Sequence, residues 1–414
     1  MLFVFDTGAN FSSEAKSVLC YINGTTRKAQ ATSGTGFTET KLSGSAAGVQ
    51  QCALYSVISN LTTEQLQNLR NGIMGFNVSG KAMKSYNPAS NTWSECTKGD
   101  GGCLLIPLSD ISVSTTRNNL LDWLEKINSS GNNNYEIKGN IAGDTGAIMQ
   151  ESWAYLFGKQ GLSGTNYTAP TTSGDSCKAN KYTIYIANSF NNASGAKDQG
   201  DSPEKTLKGT STATAQNASP ASLASNWTAA SGTDSNKCGN FTFDRNANNF
   251  KSGIYAAHWA GYLKTQEVVS YGIGVVNPGA CKPDYPAILK LLARKGGGKY
   301  FDASNMAEMS TVLTTILDEI LAVNTVFASA SLPVSVNTQG TYLNQIFVGM
   351  FRPQADKNPR WMGNLKQYKF SFNSTGDDLM LVGADNKQAI GSKGFIGNCA
   401  RRFWGQDSKT TNDY

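Results

Sequence analysis

Leu2-Phe3-Val4-Phe5-Asp6-Thr7-Gly8-Ala9-Asn10 is the stretch whose reading decides the fold. Four apolar residues in succession, aromatic and β-branched among them, predict a strand covered on both faces; a strand with one wet face would alternate instead. The run stops at an acid followed by small residues. In open sheets of parallel strands, ligand-binding groups gather in the crevice beyond the carboxyl ends of the strands. Asp6 is therefore the first candidate site residue.

Working outward, strands and helices alternate. Ser45–Leu61 carries Val49, Cys52, Ala53, Val57 and Ile58 at helical spacing, and Arg70–Asn77 reads as a second strand. Cys103–Leu108 reads as a third, and Thr115–Ile127 and Ala147–Phe157 as helices. Tyr182–Ala187 and Val268–Val276 are apolar enough for core strands, with helices over Ile254–Leu263 and Tyr285–Lys295 and a short strand at Lys299–Phe301. Asn305-x-x-Glu308 is an Asx form of the capping box, opening a helix with Met309, Val312, Leu313, Ile316, Ile320 and Val323 on one side. Such alternation predicts an α/β, Rossmann-like fold with helices on both faces of a mostly parallel sheet. Polar stretches at about 11–44, 78–102 and 191–249 read as insertions. Beyond residue 324 the pattern changes to short strands (Thr325–Leu332, Tyr342–Phe351, Gln367–Phe372 and Asp378–Val382), a β-rich module over 325–414.

Of the 414 residues, 39% are hydrophobic and only 16% charged, so solubility rests on amides and hydroxyls, as in secreted or surface proteins. A net charge of +6 without any Lys/Arg block gives no groove for nucleic acid. No apolar run reaches the about 18 residues of a membrane span. A core strand starting at residue 2, with no charged-then-apolar leader before it, implies a fragment or a mature form. The cysteines stand at Cys20, Cys52, Cys96, Cys103, Cys177, Cys238, Cys281 and Cys399; none forms Cys-x-x-Cys, and His258 is the sole histidine, which argues against zinc. An even number in such a chain points to disulfides and an oxidising compartment, with a buried free thiol as the alternative for one or two. Cys96–Cys103 and Cys177–Cys238 would staple insertions, Cys20–Cys52 would tie the segment after the first strand to the first helix, and Cys281–Cys399 is left by elimination.

The stretch from Gly296 to Leu365 is the most distinctive: Gly-Gly-Gly-Lys-Tyr-Phe, then Ala322-Val-Asn-Thr-Val-Phe-Ala-Ser-Ala-Ser-Leu-Pro-Val-Ser-Val-Asn-Thr-Gln-Gly-Thr-Tyr-Leu-Asn-Gln, Val348-Gly-Met-Phe-Arg-Pro and Arg360-Trp-Met-Gly-Asn-Leu-Lys-Gln-Tyr. With Gly101-Gly-Cys-Leu-Leu-Ile-Pro-Leu and Tyr182-Thr-Ile-Tyr-Ile-Ala-Asn, it resembles the PilC/PilY family of type IV pilus tip-associated adhesins. That resemblance implies a von Willebrand factor A (VWA) domain over residues 1–324 and a linking β module over 325–414, with a C-terminal propeller to follow. It also implies an extracellular position at a pilus tip on the bacterial surface, minor pilins as partners and attachment to a surface receptor. No Asp-x-Asx-x-Asx-Gly calcium loop occurs.

A VWA metal site takes an Asp and two Ser from the first loop, a Thr from a second and an Asp from a third. Here Asp6 matches the first Asp, Asn10 the second Ser, and Thr145 the Thr; Gly8 and Asn188 stand where a hydroxyl and a carboxylate belong. Mg or Ca at Asp6, Asn10 and Thr145 would have a single charged ligand, and affinity follows ligand charge. The competing reading makes Asp6 and Asn10 caps of backbone N–H groups. No Gly-x-Ser-x-Gly elbow, Cys/His arrangement or phosphate loop is present, so the expectation is a binding protein without catalysis.

Overall fold

Strand β1 (Leu2–Phe5) lies in the middle of a six-stranded sheet, and its four side chains are between 0% and 3% exposed. The other strands are β2 (Arg70–Asn77), β3 (Gly101–Asp110), β4 (Lys181–Ser189), β5 (Val268–Val276) and β6 (Gly297–Ala303), in the order β3-β2-β1-β4-β5-β6. All neighbours pair in parallel except β2 and β3, which are antiparallel. The protein is thus a mixed α/β, Rossmann-like fold. Its computed structural model describes residues 1–7, 14–15, 20–22, 25–27, 44–67, 69–77, 83–96, 101–127, 137, 145–170, 180–189, 226–228, 242–244, 255–276, 284–322, 327–329, 345–352, 362–372, 379–390 and 403.

Successive β1 side chains leave opposite faces of the sheet. Leu2 and Val4 join the core built with α3 (Thr145–Phe157), α4 (Tyr255–Thr265) and α5 (Asp284–Lys295). Trp153 of α3 and Trp259 of α4 meet there with ring centroids 5.0 Å apart. Phe3 and Phe5 are turned by the same alternation to the other face. Helices α1 (Ala46–Ser59) and α2 (Ser114–Lys126) pack on each other, and Cys52 of α1 touches Met306 of α6 (Met306–Ala322) sulfur to sulfur at 3.1 Å. Helix α3 is buried from Thr145 to Leu156, which explains why its sequence lacks a polar stripe.

The α6 cap forms with a shift. Asn305 Oδ1 accepts from the Glu308 N–H at 3.0 Å, while the Glu308 carboxylate accepts from Ser304 N–H and Oγ–H, each at 2.7 Å, rather than from Asn305. A second box was not marked by the apolar pattern: Thr62 and Gln65 exchange hydrogen bonds (2.9 and 3.2 Å) ahead of the short helix Thr63–Gln67. The stretch expected as a polar insertion at 78–102 contains an antiparallel hairpin, Lys84–Asn87 with Thr92–Glu95, in which Tyr86 and Trp93 stack at 4.6 Å. That aromatic cross-strand pair is what the polar average of the segment concealed. Of the other two insertions, the described residues form short antiparallel pairs: Glu14–Ala15 with Gly44–Ser45, Cys20–Ile22 with Thr25–Arg27, and Asn226–Thr228 with Thr242–Asp244.

The chain divides into two compact units, with the division at Ile316/Leu317 within α6. The second carries a four-stranded antiparallel sheet of β7 (Phe327–Ser329), β8 (Gln345–Arg352), β9 (Met362–Phe372) and β10 (Leu379–Val382), in that order. Ile346, Val348, Tyr368, Leu381 and Ala389 form its core. Strand β9 starts at Met362, earlier than Gln367, because Met362–Lys366 pair with Val348–Arg352.

Candidate functional site

Asp6 stands just past the carboxyl end of β1 and is 4% exposed. Its N–H donates to Ile186 O of β4 at 2.9 Å, carrying the pairing one residue beyond the strand. On the other side, the fully buried Thr7 accepts from the Phe76 N–H of β2 through Oγ1 at 3.1 Å. Between β1 and β4 the strand order reverses direction, so Asp6 lies at the topological switch point, where open α/β sheets bind ligands.

Thr145 opens α3 and is fully buried. The direction of α3 fixes which edge of the sheet it begins at. Tyr155, late in the helix, accepts from the Leu108 N–H through its hydroxyl at 2.7 Å, and burial pushes that phenol up to about 12. Glu151, a turn earlier, packs against Gly101 and Gly102, which pair with Asn77 and Phe76 at the carboxyl end of β2. The helix therefore starts at the carboxyl edge and runs toward the amino edge. Thr145 and Asp6 share that carboxyl edge; Asn10 lies outside the described residues. One carboxylate and one hydroxyl are oxygen donors of the kind Mg or Ca accepts, and they are few for a tight site. Among the described residues, no three His, Cys, Asp or Glu side chains cluster as metal ligands.

The best-defined polar cluster of the domain surrounds Glu151. Its carboxyl, fully buried, accepts from Ser163 Oγ (2.5 Å) and Tyr167 OH (2.7 Å) at Oε1 and from the Ser163 N–H (3.0 Å) at Oε2. Burial holds its pKa above the usual glutamate range, against the lowering effect of these hydrogen bonds. Burial, together with the neighbouring Glu151 charge and hydrogen bond, raises the Tyr167 hydroxyl in turn. A Cβ at Gly101 (φ 122°) would meet Glu151 Oε2 at 2.7 Å, and one at Gly161 would run into the carboxyl itself. A second buried group joins α5 to β6: Lys290 Nζ lies 5.2 Å from the Tyr300 ring centre, and the Tyr300 hydroxyl donates to Asp302. Sequence periodicity marked neither cluster. An acid inside an otherwise apolar helix, as in Ile148-Met149-Gln150-Glu151-Ser152-Trp153, was the available sign, because such a group must find internal partners.

Cys96 and Cys103 are disulfide-bonded, with Cα atoms 5.6 Å apart, and tie the end of the Lys84–Glu95 hairpin to β3 beside Gly101 and Gly102. Cys52 is also in a disulfide, and the strand holding Cys20 packs against its helix. Cys177, Cys238, Cys281 and Cys399 lie outside the described residues. Among the described residues, no helix is long and apolar enough to cross a membrane.

No protein-family profile and no curated protein matches the sequence. Solved structures similar to the chain include BatB, a conserved hypothetical protein of Bacteroides thetaiotaomicron, at 9% identity and TM-score 0.34, covering 77% of this chain and 97% of that one. An aerotolerance-related membrane protein of Bacteroides fragilis matches at 8% identity and TM-score 0.33, over 77% and 98% of the two chains. The PilB minor pilin of Streptococcus sanguinis matches at 11% identity and TM-score 0.37, over 77% of this chain and 60% of the pilin. These are similarities of backbone shape at low identity, and no function passes from them to this chain.

Proposed function

We propose that the chain is a non-catalytic binding module of a type IV pilus tip-associated adhesin, in which residues 1–324 form a VWA domain and residues 325–414 link it to a propeller. The observation that carries this reading is the strand order β3-β2-β1-β4-β5-β6 with an antiparallel β3, which puts Asp6 at the switch point of the sheet. The resemblance of residues 296–365 to PilC/PilY adhesins supports it independently. On this reading the polar insertions form the contact surface, and the Cys96–Cys103 staple resists unravelling when a filament pulls. The partners are minor pilins, reached through the propeller, and a surface receptor. Immunogold labelling with antibody to this chain should mark filament ends, and cells lacking the protein should lose attachment. Label spread along filaments, or attachment unchanged in its absence, would overturn the assignment.

A second reading keeps the same fold but makes binding metal-dependent, with Mg or Ca held by Asp6, Thr145 and Asn10. The shared edge of Asp6 and Thr145 favours it. Titration calorimetry with Mg²⁺, Ca²⁺ and Mn²⁺ should then give heat in the wild type and none in Asp6→Ala; attachment that survives EDTA counts against it.

A further inference from the structure

Residues 158–170 turn back along α3 and close over Glu151. Lys159 N–H donates to Ala154 O (2.8 Å), Tyr167 N–H to Lys159 O (3.2 Å) and Gly161 N–H to Thr165 O (2.8 Å). The Tyr167 ring meets Tyr155 edge-on at 5.6 Å. Among the described residues, the Glu151 carboxyl is met by hydroxyls and backbone N–H groups, and none of them pairs a cation with it. The strand start Gly101–Gly102 and Met74 supply no charge, α3 supplies Tyr155, and the segment supplies Tyr167. An uncompensated buried carboxylate is costly, and the ordinary escape is to keep the proton. A protonated carboxyl fits the cluster, since its O–H can donate to Ser163 Oγ, which lies 2.8 Å from Thr165 Oγ1 and can donate onward to it.

We propose that residues 158–170 form a proton-linked clasp, closed over α3 while Glu151 carries its proton and loosened when that proton is lost to solvent. The sign follows from burial. A carboxyl held above its ordinary pKa of 4.5 gives its full contribution below that value, and the contribution is lost as pH rises through the elevated one. The consequence for the domain is positional. Opening uncovers Gly101 and Gly102, which continue the sheet edge where Thr7 and Phe76 hold the end of β1. The clasp needs no metal and stands apart from the adhesin assignment.

The test uses the full chain with carbon-13-labelled glutamate. The Glu151 carboxyl signal, assigned by its loss in Glu151→Gln, should titrate above the ordinary glutamate range. Hydrogen exchange of amides 159–167, corrected for the intrinsic pH dependence, should show protection falling by up to about tenfold per pH unit between the ordinary glutamate range and that titration, and levelling off above it. The same profile should be flat in Glu151→Gln, which has no proton to lose. Tyr167→Phe removes one donor to the ionised form and should move the titration further up. Titration of Glu151 within the ordinary range in the wild type would overturn the clasp, whether or not the variants fold. So would identical exchange profiles in the wild type and Glu151→Gln.

Discussion

Replacing Gln51 by Met tests how α1 holds the end of α2. Gln51 is 3% exposed on α1, and its Nε2 reaches Leu124 O at 2.6 Å, Glu125 O at 3.2 Å and Ile127 O at 3.3 Å. Helix α2 ends at Lys126, so carbonyls of its last turn have no partner within the helix. One side chain from another helix therefore supplies that end with its donors. Two N–H groups make at most two good hydrogen bonds. Each has a net worth of about 1 kcal/mol, and a buried carbonyl left without a donor costs about 1–3 kcal/mol. Methionine nearly keeps the volume, so repacking should add less than about 1.5 kcal/mol. The expected loss is about 2–4 kcal/mol, large beside the roughly 5–15 kcal/mol of a typical domain. Urea unfolding followed by far-ultraviolet circular dichroism should show a lower midpoint at unchanged slope. Gln51→Glu should be worse than Met, because an ionised carboxylate would face carbonyl oxygens. A Met variant as stable as the wild type, or a Glu variant more stable than Met, would refute the reasoning.

Three further substitutions probe other parts of the frame. Gly161→Ala places a Cβ against the Glu151 carboxyl and should destabilise by about 3 kcal/mol; in the Glu151→Ala background its extra cost should shrink, a non-additivity that a double-mutant cycle of melting curves would measure. Gly261→Ala, within α4, should stabilise by about 0.5–1 kcal/mol, since among the described residues the new methyl carbon meets only Lys295 Cβ of α5 at 3.8 Å, and a higher thermal midpoint would register it. Asn305→Ala removes the acceptor for the Glu308 N–H and should cost about 1 kcal/mol in the same assay.

The run Leu2–Phe5 was legible as a doubly covered strand because burial on both faces leaves no polar position, and that constraint is written locally. The bounds of Val268–Val276 and the cap at Asn305 were legible for the same reason, as were most helices to within one or two residues. Asp6 could be placed at a strand end from sequence. That it lies at the switch point, on the same edge as Thr145, depends on which strands pair, and pairing joins segments far apart in the chain. Glu151 shows the limit most directly. Within α3 it is one acid among apolar neighbours; burial raises its proton affinity, against the lowering effect of the Ser163 and Tyr167 hydrogen bonds, beside three glycines that offer no side chain. The sequence by itself determined where chain segments prefer strand or helix, because those preferences arise from neighbours two to four residues away. Only the tertiary structure decided which polar groups lost water and what replaced it, because burial is a property of the packed whole.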